Sequence, residues 1–184
     1  GQADATLVGC DGKYMLIDGG NSEDSSLIYA YLKEHQVEHL DYMICTHAHE
    51  DHVGGLPSVL AVFPTDAIYA PTRTYSSKVF DDFLYYVDQQ RLEVQIPTPG
   101  QQFSLGSARI TVLGPVKSYA ETNNTSIVLR VDYGKTSFLF TGDAEKEWLK
   151  NLCFSARNLT CDVLKLPHHG EYDKNLATLI ALTL

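Results

Sequence analysis

Residues 41–55 read Asp-Tyr-Met-Ile-Cys-Thr-His-Ala-His-Glu-Asp-His-Val-Gly-Gly. Tyr42 to Thr46 is a short, mostly apolar run of the kind that makes a buried strand, and Gly54-Gly55 releases the backbone before a new apolar segment. The histidines therefore sit just past a strand end. His47 and His49 are two apart, so in locally extended chain they project to one side, where two neutral imidazoles can grip one divalent cation. Asp51 and His52 follow where the backbone begins to turn, and can face a second cation. Imidazole with carboxylate suits zinc, iron or manganese, and the lack of cysteine among these four disfavours a closed zinc-thiolate site of purely structural kind.

Of the 7 histidines in the chain, five lie in this loop or in the later His168-His169-Gly170. His35 and His39 flank a helix end and are expected to be solvated. Upstream, Ala5–Gly9 and Lys13–Asp18 are strand-like and meet through Cys10-Asp11-Gly12, an Asp-Gly hairpin signal. Asn21 with Asp24 can cap a helix whose apolar face is Leu27, Ile28, Tyr31 and Leu32.

Downstream, residues 56–63 read as a helix, 66–70 as a strand and 76–90 as a helix facing inward with Val79, Phe83, Tyr86 and Val87. The polar loop between the last two carries Arg73 and Tyr75, which can line a substrate groove or be merely solvated. Arg109–Leu113, Ile127–Tyr133 and Thr136–Phe140 are strands, the last two forming a hairpin, Ala144–Leu152 is a helix, and Asp162–Leu166 reads as a final buried strand. Two hairpins interleaved with strand–helix alternation predict a mixed α/β (α+β) sheet system rather than a doubly wound parallel sheet. No internal repeat or low-complexity segment is present.

His47-Ala48-His49-Glu50-Asp51-His52 resembles the His-x-His-x-Asp-His signature of the metallo-β-lactamase superfamily. The resemblance implies an αββα four-layer sandwich with metals in a cleft at one sheet edge. It makes His47, His49, Asp51 and His52 metal ligands, adds Asp143 of Thr141-Gly142-Asp143 as a bridging carboxylate, and takes its last ligand from His168-His169. Laying Pro-His-His-Gly over the superfamily's Pro-Gly-His-Gly selects His169, with His168 beside the ligand or the substrate, though the two could exchange roles. Asp51, Asp143 and His169 become the catalytic set, with one or two divalent ions, zinc or manganese, as cofactor.

One superfamily ligand has no counterpart, because no histidine lies between His52 and His168. The matching place reads Asn123-Asn124-x-Ser126, and an amide oxygen is a weaker ligand than imidazole. This departure disfavours β-lactamase or glyoxalase-like chemistry. Gln-x-Asp-Ala at 2–5, the histidine loop, Asn-Asn-x-Ser, Thr-Gly-Asp and Leu-x-x-Pro-His-His-Gly occur in the order found in the metallo-β-lactamase-like domains of ComEC-type competence proteins. In that branch Asp4 either ties loops near the metals or is a turn carboxylate. Its members continue past the His-His-Gly, so the sandwich is expected to be incomplete at the C-terminus.

At 184 residues with 44% hydrophobic content the chain can bury one sizeable core, and it reads as a single domain over 1–184. No apolar run approaches the 18 or so residues that span a bilayer. The first residues already read as a strand edge, so any leader, anchor or upstream domain is expected outside this sequence. The 4 cysteines, 10, 45, 153 and 161, show no C-x-x-C spacing, and Cys153 could pair with Cys161 in an oxidising compartment.

The net charge of −9 has the wrong sign for a protein that holds a long polyanion by phosphate neutralisation alone, although bound divalent cations offset part of it. The ligand set points to a phosphodiesterase or nuclease, with DNA, single strands included, as the substrate the ComEC-type resemblance implies. A small phosphodiester such as a phosphocholine ester fits the charge better. A non-catalytic metal-binding module is the alternative, and acyl hydrolysis lacks the ligand set its members usually carry. The same resemblance implies an extracytoplasmic location.

Overall fold

In a computed structural model of the chain, residues 3–153 and 158–184 are described, so Gln2 of the Gln-x-Asp-Ala stretch lies outside them. The chain divides into two compact units, up to Ile96 and from Pro97 onward. Each is built on a five-stranded mixed sheet.

The first sheet has the order β1 (Thr6–Cys10), β2 (Lys13–Ile17), β3 (Leu40–Ile44), β4 (Thr65–Tyr69), β5 (Val94–Gln95). β1 and β2 form the expected antiparallel hairpin, closed by left-handed Asp11 and Gly12, and all later pairs are parallel. Parallel strands are reached by crossovers, which are here the helices α1 (Ser25–Glu34), α2 (Glu50–Val53) with α3 (Leu56–Leu60), and α4 (Lys78–Gln89). Their apolar sides, including Ile28, Leu32, Val59, Leu60, Phe80, Phe83 and Val87, pack with Leu16, Met43 and Ile68 of the sheet. Each such side chain withdrawn from water contributes roughly 1.5–3 kcal/mol.

The expected face of α1 is only half right: Ile28 and Leu32 are buried, whereas Leu27 and Tyr31 are 70% and 49% exposed. In α4 the inward set is Phe80, Phe83 and Val87, with Val79 and Tyr86 at its margin.

The second sheet runs β10 (Val163–Lys165), β9 (Thr136–Phe140), β8 (Val128–Tyr133), β7 (Ala108–Gly114), β6 (Gln102–Leu105), antiparallel except for the parallel β10–β9 pair. Helices α5 (Lys146–Cys153) and α6 (Leu176–Thr183) cover Val128 and Leu139 with Trp148, Leu149, Leu152 and Leu179. The strand expected to be buried at 162–166 is instead a short edge strand with Val163 48% exposed. The two-residue β5, the polar β6 and the uniformly apolar α6 carry too little periodicity to be read from sequence. All four cysteines are free, so Cys153 and Cys161 are not bonded to each other. No helix among the described residues is long and apolar enough to cross a membrane.

Candidate metal centre

In the first unit the site grows from the ends of two paired parallel strands. Ile17 of β2 lies opposite Ile44 of β3, so Asp18 emerges beside the chain that becomes the histidine loop. Asp18 takes a left-handed φ of 60° and is 2% exposed. Its Oδ1 accepts the Thr46 backbone N–H at 2.7 Å, and its Oδ2 accepts the Thr46 hydroxyl and the His52 Nδ1–H, both at 2.7 Å. This carboxylate fixes the His52 tautomer and directs Nε2 away from Asp18, the usual arrangement behind a metal-binding imidazole.

Around it, Thr46 Oγ1 accepts from His47 Nδ1 at 3.3 Å, which turns His47 Nε2 toward His49 Nδ1 at 3.2 Å. Two nitrogens bound to one tetrahedral zinc at ~2.05 Å lie about 3.3 Å apart, so the pair fits a shared cation. Asp51 Oδ2 stands 3.7 Å from His52 Nε2, a second carboxylate–imidazole pair in the same loop. The extended backbone expected at 47–49 gives way to helix at Glu50, with His49 at the cap position.

Main-chain contacts hold the loop in place. The Gly19 N–H donates to the His52 carbonyl, the Asp4 N–H to the Asp51 carbonyl, and the Gly20 N–H to the Asp4 carbonyl. Asp4 thus ties loops together through its backbone. A Cβ on Gly55 would overlap the Gly19 carbonyl oxygen, and one on Gly54 the Ser22 nitrogen, so the Gly54-Gly55 pair is needed for close backbone approach. Cys45, beneath the loop, is kept a thiol by its burial and secondarily by the Asp18 charge, and its Sγ–H donates to the His47 carbonyl.

In the second unit the parallel β9–β10 pair does the equivalent work. Phe140 lies opposite Lys165, and the chain beyond each strand brings Asp143 and His169 together, with Oδ2 to Nε2 at 3.1 Å. Thr141 Oγ1 donates to the Lys165 carbonyl, and the His168 N–H to the Gly142 carbonyl. His168 and His169 both have left-handed φ, 47° and 53°, and this turn separates their side chains. His169 reaches Asp143, while His168 Nδ1 lies 3.5 Å from Glu145 and 3.3 Å from Glu171.

The Asn-Asn-x-Ser stretch is bonded to the chain that follows Gly142. Ser126 Oγ, fully buried, accepts the Asp143 N–H at 3.0 Å. Asn124 Oδ1 accepts the N–H groups of Glu145 and Trp148, both at 3.1 Å, capping the start of α5. Asn123 Nδ2 donates to Glu145 Oε1 at 2.7 Å. Asn124 therefore spends its amide oxygen on main chain. Arg73 Nε donates to the Val94 carbonyl, and the residue shares a groove with Asp88 and Glu93, an acidic setting that does not suit phosphate.

Asp18 and Thr46 are the site residues that sequence reading missed. An Asp before Gly-Gly at a strand end was the available signal, but its role depends on β2 pairing with β3.

The metallo-β-lactamase superfamily profile matches residues 1–184. The chain belongs to the metallo-β-lactamase superfamily. Proteins similar to it include "ComE operon protein 3" of Bacillus subtilis (strain 168), 26% identical over 93% of this chain, and "Recombination protein 2" of Haemophilus influenzae, 32% identical over 93% of it. The chain spans only 24% and 20% of the length of those two relatives. Among solved metallo-β-lactamase folds, SMB-1 in complex with mercaptoacetic acid superposes with a TM-score of 0.64 at 15% identity, covering 100% of this chain and 86% of that one.

Proposed function

We propose that the protein is a metal-dependent hydrolase of phosphodiesters, in which His47, His49, Asp51, His52, Asp143 and His169 serve as ligands to one or two divalent cations, zinc or manganese. The observation that carries the reading is the Asp18–His52 hydrogen bond at 2.7 Å, buried and aimed so that a histidine of the superfamily motif presents its other nitrogen. The Asp143–His169 pair supports it independently. A cation held there supplies Lewis acidity to a phosphoryl group and makes a water nucleophilic near neutral pH. The protein's own part is orientation: Asp18 and Thr46 set the imidazoles, and Ser126 holds the backbone of Asp143.

The names of the two relatives, one of them a recombination protein, favour DNA as the phosphodiester, single strands included. The net charge of −9 favours a short or small substrate over tight grip on a long duplex. Incubation of the zinc- or manganese-loaded protein with single-stranded oligonucleotides and with bis-p-nitrophenyl phosphate tests the reading. Metal-dependent product release, abolished by Asp51→Ala or Asp143→Ala, is expected. A metal-loaded protein inert toward every phosphodiester removes it.

One observation favours a second reading, a metal-binding module without catalysis. Asn124 is engaged as a helix cap where the superfamily resemblance expects a third histidine on the first metal. Metal content measured together with hydrolysis separates the two: bound metal with metal-dependent product release supports the hydrolase, and bound metal with no release supports the module.

A further inference from the structure

Metal-binding imidazoles are normally oriented by a hydrogen bond on the nitrogen that does not face the metal. In the histidine loop two of the three imidazoles have one, His52 from Asp18 and His47 from Thr46. His49 differs. Its Nδ1 faces His47, and among the described residues no oxygen hydrogen-bonds its Nε2. Besides His47, its ring meets Tyr75, edge to face, with centroids 6.3 Å apart and planes at 69°.

Tyr75 belongs to the loop between β4 and α4 and is half-buried. Its ring stands edge-on to Phe80 at 5.9 Å, and Phe80 leans on Phe83 at 5.5 Å. Phe80 and Phe83 are both fully buried. A continuous line of ring contacts thus runs from His47 through His49 and Tyr75 into the core under α4. No hydrogen bond of the Tyr75 hydroxyl is found among the described residues, so the ring is what engages the loop.

We infer that Tyr75 is a positioning residue for His49, its ring taking the place of the hydrogen bond that orients the other two imidazoles. The inference rests on the reading of His49 as a metal ligand. An edge-to-face pair contributes about 0.5–1.5 kcal/mol beyond its area. Through 1.4 kcal/mol per decade, that corresponds to a loss of about two- to tenfold in metal affinity when the ring is removed.

The test is zinc affinity, measured by competition with a chromophoric chelator, for His49→Ala, Tyr75→Phe and Tyr75→Leu, with thermal melts of each metal-free protein. Cobalt loading adds a visible spectrum that reports ligand geometry. Tyr75→Phe is expected to bind as the unmodified protein does. Tyr75→Leu, which keeps apolar bulk against Phe80, should bind more weakly by the stated factor and change the cobalt spectrum while melting cooperatively. If His49→Ala weakens zinc and folded Tyr75→Leu does not, Tyr75 has no positioning role and the ligand reading stands. If His49→Ala itself binds zinc unchanged, the ligand reading and the inference fall together. Loss of the cooperative melt in Tyr75→Leu makes Tyr75 a core residue and overturns the inference as well.

Discussion

Replacing Asp18 by Asn isolates the carboxylate that the histidine loop is built on. Asn keeps the shape and, like Asp, tolerates a left-handed φ, so the 60° at this position does not confound the change. Three donors converge on the two oxygens: the Thr46 N–H, the Thr46 hydroxyl and the His52 Nδ1–H. Whichever way the new amide turns, its NH2 meets one of those donors. At least one charge-assisted hydrogen bond is lost, about 1.5–3 kcal/mol for a buried carboxylate. Felt at His52, that is about a ten- to hundredfold loss of metal affinity, the range usual for partners behind metal ligands. The assay is zinc competition near neutral pH, with the urea midpoint followed in parallel. A folded Asp18→Asn protein that binds zinc as tightly as the unmodified one refutes the assignment of His52 as a ligand oriented by Asp18.

Gly55→Ala should destabilise by about 1–3 kcal/mol or more through overlap with the Gly19 carbonyl. Gly134→Ala, a left-handed turn position with open space, should cost only about 1 kcal/mol from its φ. Urea titration of the two variants compares them, and equal losses contradict the close-approach argument. Asn124→His, which installs the superfamily's missing residue, is expected to lose about 1 kcal/mol of stability because the cap on Glu145 and Trp148 goes, and to gain no zinc affinity. Tighter zinc binding by this variant overturns the capping account. Ser126→Ala strands the buried Asp143 N–H and should destabilise by about 1–3 kcal/mol, read as a lower denaturant midpoint. Burial pushes the Asp41 carboxyl up, but the Lys13 ammonium and the Tyr14 N–H outweigh it and hold the group below its ordinary range. Its folded pKa is therefore depressed, so its stabilisation is present above about pH 4 and lost as pH falls further. Urea midpoints measured from neutral pH to pH 3 should fall less steeply for Asp41→Asn than for the unmodified protein, and parallel curves contradict this.

Much of the architecture was legible from local pattern. The Asp-Gly hairpin, the apolar run before His47, the paired strands flanking Gly134 and the helix after Asp143 carry their signals within a few residues. The misses have local causes too. Leu27 and Tyr31 fit a helical stripe yet remain exposed, because periodicity gives a face and not its width. The strand at 163–165 is apolar but lies at a sheet edge, and edge position is a property of the sheet order alone.

For the site, the chain by itself showed where metal-binding atoms are concentrated, because His47, His49, Asp51 and His52 are crowded into six residues. Tertiary structure decided what holds those side chains and which of two neighbours faces Asp143. Asp18 reaches His52 from 34 residues away only because β2 pairs with β3, and His169 rather than His168 meets Asp143 because two left-handed residues turn the chain beyond β10. The physical reason is the same in both cases: ligand identity is written in one side chain, whereas orientation depends on strand pairing and backbone dihedrals that bring distant residues within hydrogen-bonding reach.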